Sequence, residues 1–144
     1  MKPPEARERF LTARVARLAT ADQVGRPHLV PIVFAVDGDT IYSAVDHKPK
    51  STPALKRLAN VAVNPAAALL VDHYDDNWDN LWWARADGKA AVLPRGSDEE
   101  RPAIALLQAR YATYLEHPPQ GPILAVHVER WSGWESSAGK TASG

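Results

Sequence analysis

Asp37-Gly38 constrains the fold more than any other dipeptide in the chain, because it separates two apolar, β-branched runs, HLVPIVFAV and TIYSAV. Asp and Gly both tolerate the positive φ angles of a type I′ turn, so the pair predicts a hairpin between strands over His28 to Val36 and Thr40 to Val45. The first run is apolar at successive positions, which predicts a strand buried on both faces. Pro31 within it has no N–H for a ladder, so a partner strand must be missing or bulged there. A flat ligand against that backbone and a plain edge strand both meet the requirement.

The flanking segments extend the pattern. Residues 4 to 14 predict a short charged helix whose Ala6, Phe10 and Leu11 share a face, with Pro3 and Pro4 in its first turn. Val15 to Thr20 predicts a strand, and Asp22 to Gly25 the turn after it. Pro53 to Asn60 predicts a helix capped by Thr52, and Ala67 to Val71 another strand. Leu81 to Leu93 is strand-like but interrupted by Asp87-Gly88, which a bulge and a hairpin explain equally. Ser97 and Glu100 make a capping box for a helix carrying Ile104, Leu107 and Tyr111, and Ile123 to Trp131 alternates as a final strand. Hairpin-joined neighbours without βαβ units predict a mainly β (α+β) fold, a six-stranded antiparallel barrel over residues 1 to 135 with a flexible tail over 136 to 144.

Composition removes several classes of chemistry. The 144 residues contain no cysteine, which excludes a disulfide scaffold, a thiolate zinc site, an iron-sulfur cluster and a cysteine nucleophile. Seventeen Lys and Arg balance seventeen Asp and Glu. That neutrality argues against a nucleic-acid binder, which carries a basic excess, and favours self-association. The first residues lack the apolar run of a signal peptide or a membrane span, so a cytoplasmic protein is expected.

The neutral total hides a segregation. His47 to Arg57 holds Lys48, Lys50, Lys56 and Arg57 without an acid, and Asp72 to Asp79 holds four aspartates without a base. Lysines with Ser51 and Thr52 ahead of a helix N-terminus are the ingredients of a phosphate site, although a solvated loop reads the same. Ser43 lies on the strand before that loop, where its hydroxyl could reach a phosphate or a ring carbonyl. No GxSxG motif supports it as a nucleophile. Strand alternation sends Trp82 and Trp83 to opposite faces, one into the barrel and one outward to a subunit interface or planar ligand. His28, His47, His73, His117 and His127 show no HxxxH or HExxH spacing, so no helical zinc site is indicated.

Taken in order, HLVPIVFAVDGDTIYSAVDHKPKSTPALKRLANVAVNPAAALLVD followed by LWWARADGKAAV resembles the pyridoxamine 5′-phosphate oxidase-like, FMN-binding split barrels, and within them the actinobacterial branch that uses the deazaflavin F420. The resemblance implies a homodimer with coenzyme in grooves between subunits. It implies that Lys48, Lys50 and Ser51 hold the coenzyme phosphate, with Ser43 nearby and Lys56 and Arg57 assisting. It places the backbone of Pro31, Ile32 and Val33 against the tricyclic ring. Trp82 and Trp83 would build the groove or the interface, and Trp78 would reach the partner's ring. Trp82-Trp83 stands where the vitamin B6 oxidases carry arginine and glutamine, so that family's pyridoxal phosphate contacts are not carried over. The resemblance thus implies an F420-dependent oxidoreductase passing hydride to a conjugated small molecule, with FMN as the alternative coenzyme, no catalytic side chain and no metal.

Overall fold

A computed structural model describes residues 1–45 and 52–137. Its elements are α1 (Pro3–Thr12), β1 (Ala16–Ala21), β2 (Pro27–Ile32), β3 (Ala35–Asp37), β4 (Thr40–Ala44), α2 (Thr52–Val63), β5 (Ala66–His73), a 3₁₀ turn (Trp78–Asn80), β6 (Trp82–Val92), α3 (Glu100–Arg110), α4 (Thr113–Glu116) and β7 (Ile123–Glu135). All seven strands join one antiparallel sheet in the order β2-β1-β5-β6-β7-β4-β3. Its two edges, β2 and β3, are consecutive in the chain and separated only by Val33 and Phe34. So short a link forces the sheet to curl until its edges meet at a corner, giving an open barrel.

That corner corrects the six-stranded expectation. The single strand expected over His28 to Val36 divides at Val33-Phe34, because Phe34 turns into the barrel interior while Ala35 packs under α3 on the outside. Nor is the run buried on both faces throughout. β2 turns Val30 and Ile32 inward, but Leu29 is 67% exposed and Pro31 is also exposed. β2 pairs only with β1, so Pro31 sits on an edge strand, which accommodates its missing N–H.

The hairpin after it forms with Asp37 opposite Thr40. Gly38 has φ +59° and no non-glycine residue among the described ones has positive φ, so the turn has the glycine-first geometry of type II′ rather than type I′. Three of its acceptors are engaged. Gly38 O accepts from Arg7 Nε at 2.7 Å, Asp39 O from the Val128 N–H at 2.7 Å, and Asp39 Oδ1 from Trp131 Nε1 at 2.9 Å.

The interior is filled by Leu18, Phe34, Ile41, Leu69, Val126 and their neighbours, and α1 closes one end with Phe10, which stacks edge-on against Phe34 and Trp131. Leu11, expected on the same face, is instead turned to solvent. Outside the barrel, Ala103 and Leu107 of α3 cover Ala35, Tyr42, Ile123 and Ala125. The capping box does not form at Ser97. That residue lies in a turn accepting the Glu100 N–H through its backbone, and α3 begins only at Glu100.

Asp87-Gly88 is a bulge, since the β6–β7 register shifts there from Arg130 to Val128. A Cβ on Gly88 would run into the His127 carbonyl and come within 2.9 Å of Val128 Cα, so the close approach of β6 and β7 at the bulge requires glycine. Gly88→Ala should therefore cost about 2–4 kcal/mol in urea unfolding, a backbone clash rather than a lost contact.

Candidate functional site

At the barrel end beneath α2, polar side chains converge from three elements. His28 on β2 stands directly opposite Thr20 on β1, and both face inward. Thr20 Oγ1 accepts from Asn60 Nδ2 of α2 at 3.1 Å, a bond buried on both sides. One helical turn before Asn60 is Arg57. Arg57 is half-buried, has no ion pair among the described residues, and its buried Nε has no acceptor. Burial alone pushes its guanidinium below the usual arginine range, yet arginine remains charged at neutral pH. His28 Nδ1 is the other buried polar atom of this corner without a partner.

Lys56 is exposed and tied sideways, with Nζ 3.9 Å from Asp22 Oδ2 in the β1–β2 turn. The Arg26 and Val24 N–H groups, bonded to Asp22 Oδ1 at 2.9 and 3.0 Å, outweigh its desolvation and hold its carboxyl below the usual range. Asn64 adds a bond from Nδ2 to Asp22 O at 3.4 Å. The β1–β2 turn is thus fastened to α2, which sets Arg57 and Asn60 against the barrel end. Lys48, Lys50 and Ser51 lie outside the described residues; the chain that carries them leads directly into α2.

Ser43 is 3% exposed, and its Oγ donates to Val33 O at 3.0 Å. The hydroxyl expected to reach a phosphate or ring carbonyl commits its proton to the β2–β3 corner. Tyr111 braces the same corner from outside, its hydroxyl taking the Phe34 N–H at 3.1 Å. Pro31 and Ile32 lie on the free edge of β2, and Val33 enters the corner, at the end of the strand away from the β1–β2 turn to which α2 is fastened.

Trp82 and Trp83 do face opposite ways. Trp82 packs against the interior, with the Arg9 guanidinium 4.5 Å from its ring centre. Trp83 lies on the outer face, opposite Trp134 of β7 and Asp72 of β5. With Leu70, Asp72, Tyr74 and Arg85 it lines a depression of about 350 Å³. Trp78, in the 3₁₀ turn, is 74% exposed. The acidic loop is exposed throughout. His73 Nε2 and Asn80 Nδ2 engage Asp75 at 2.9 and 3.3 Å, and no metal-ligating group forms among the described residues.

His28, Thr20 and Asn60 carry no sequence signal as a group. They meet only through strand pairing and helix docking, and a lone histidine in an apolar strand reads as a core residue.

The fold is a known one. The family profile described as pyridoxamine 5′-phosphate oxidase matches residues 3–135. The chain belongs to that family. Solved structures agree on the fold. A FAD-binding protein from Mesorhizobium loti superposes with a TM-score of 0.72 at 19% identity, covering 92% of this chain and 94% of its own. HutZ, the heme storage protein from Vibrio cholerae, gives 0.70 at 20% identity, covering 94% and 95%. The conserved hypothetical protein Rv2991 from Mycobacterium tuberculosis gives 0.73 at 20% identity, covering 96% and 87%. A search of curated proteins finds no match. No helix among the described residues is long and apolar enough to cross a membrane.

Proposed function

We propose that the protein is an oxidoreductase that binds a phosphate-bearing flavin-type coenzyme at the barrel end beneath α2, F420 in the first place and FMN as the alternative, and that it passes hydride to a conjugated small molecule. The observation that carries the reading is Arg57. A half-buried guanidinium with a buried Nε and no acidic partner among the described residues is costly to keep unless an anion comes to it. The family supplies the class of anion, and the M. loti neighbour, named as FAD-binding, is consistent with it.

The residues present fit such a group. Arg57, with Lys56 at the rim, would neutralise the phosphate, and the β2 edge around Pro31 to Val33 would lie along the ring. The bound coenzyme supplies hydride transfer. The chain binds it, orients it and keeps water from it. The chain has no cysteine, Ser43 donates its proton to Val33 O, and hydride transfer to a bound acceptor needs no protein nucleophile.

The outer sheet face completes the reading as a homodimer. Leu29, Leu70, Trp83 and Trp134 lie on the outer sheet face, on the part that α3 does not cover. Arg17, Arg85 and Arg130 alternate on it with Asp72 and Asp87, a pattern of both signs that can complement itself across a two-fold axis. Leu29→Asp combined with Leu70→Asp should convert a dimer to a monomer in analytical ultracentrifugation; a wild-type monomer would contradict the proposed dimer.

Fluorescence titration with F420, FMN and hemin separates the coenzymes. Tightest binding of F420 supports the first choice, tightest binding of FMN the alternative, and preference for hemin over both overturns the reading. If reduced coenzyme binds tightly yet is oxidised by no member of a broad acceptor panel, the protein is a non-catalytic coenzyme binder.

A further inference from the structure

His28 belongs to none of the expected sites, yet it presents a buried, unpartnered nitrogen at the same corner as the unpartnered nitrogen of Arg57. Two such atoms in one corner are unusual, because buried polar groups are nearly always paired. They flank the Thr20–Asn60 hydrogen bond. His28 is beside Thr20 in the β1–β2 ladder, and Arg57 is one turn from Asn60 on α2. Thr20 and Asn60 bond each other, and the imidazole and the guanidinium carry the unpartnered nitrogens of the cluster. The carboxylate of the adjoining turn, Asp22, is engaged by two backbone N–H groups and Lys56, and so competes for neither.

We propose that His28 and Arg57 form the two sides of one anion seat, in which Nδ1–H of His28 is a donor to the same phosphate that Arg57 neutralises. The inference rests on the coenzyme reading above and adds to it a residue and a geometry. With the proton on Nδ1, the imidazole points a donor at the phosphate from the β2 side, and Arg57 approaches from α2. The phosphate then bridges helix and edge strand. Its binding should therefore stiffen the contact between β2, along which the ring would lie, and α2.

Alanine and asparagine at position 28 test this, because asparagine places its amide N–H near the position of Nδ1 and alanine removes the donor. The affinity of wild type, His28→Ala and His28→Asn is measured for whichever of FMN and F420 the wild type holds more tightly, and for the same chromophore without its phosphate. Thermal melts of each variant confirm folding. His28→Ala should lose about tenfold in affinity for the phosphorylated coenzyme and little for the phosphate-free chromophore, and His28→Asn should recover most of the loss. An equal loss for both ligands, or none, overturns the seat and leaves the coenzyme reading standing. A wild type that binds neither FMN nor F420 overturns both.

Discussion

Arg57→Met should weaken binding of F420 or FMN by about ten- to a hundredfold, the value of one charge-assisted contact to a phosphate, while the melting temperature of the free protein stays level or rises. The two halves of that result belong together. Arg57 is half-buried, its charge is desolvated, and no acidic group among the described residues offsets that cost. Methionine keeps the apolar stem against the barrel end and removes the charge. A residue kept for folding would show the opposite, a lower melting temperature and unchanged affinity. Calorimetry and thermal melts on the same samples distinguish the cases.

Arg110→Ala should cost about 3 kcal/mol of stability, or roughly 6–12 °C in melting temperature for a chain of this size. Arg110 ends α3, and its guanidinium reaches across to α1, whose final carbonyls have no helical partners. It donates to Phe34 O at 2.7 Å, to Leu11 O at 3.3 Å, to Phe10 O at 3.4 Å and to Ala13 O. The guanidinium also lies 4.7 Å from the centre of the Phe34 ring. In return Arg14, just past α1, donates to Arg110 O at 3.0 Å, so each helix end is capped by an arginine from the other's neighbourhood. One side chain thus ties α1, α3 and the β2–β3 corner together, and its loss leaves several carbonyls without a donor. Arg110→Lys keeps the charge but cannot fork between those carbonyls, so it should recover less than half of the stability. A change within about 0.5 kcal/mol on alanine substitution, measured by urea unfolding, would contradict this account.

The fold was legible wherever local chemistry decides it. The Asp37-Gly38 hairpin, the missing ladder partner at Pro31 and the opposed faces of Trp82 and Trp83 follow from turn chemistry, proline and strand alternation, and all three are observed. The corner at Val33-Phe34 was not legible. Phe34 and Ala35 are both buried, one by the barrel and one by α3, so the run looks like a strand covered on two sides when it is a strand changing edges. The turn type was misread because Asp-Gly suits type I′, whereas here the glycine occupies the first central position and Asp37 belongs to the strand.

The candidate site divides in the same way. Arg57 stood out within a run of positive charge, but nothing in the sequence separates it from Lys56, which proves to be tied to Asp22 at the surface. Ser43 looked available because it precedes the basic loop; the backbone corner needs its hydroxyl. His28 and Asn60 are distant in sequence from each other, and only the β1–β2 register together with the seating of α2 brings them into one cluster.

The central claim is that the barrel end beneath α2 holds the phosphate of a flavin-type coenzyme. Isothermal titration calorimetry of the wild-type protein, in buffer free of phosphate, with F420 and FMN and with their phosphate-free chromophores, tests it most directly. The account predicts saturable micromolar binding of at least one phosphorylated coenzyme, one per protomer, and binding at least about tenfold weaker for its phosphate-free counterpart. Equal affinity for the two forms, or no binding of either coenzyme, would contradict it.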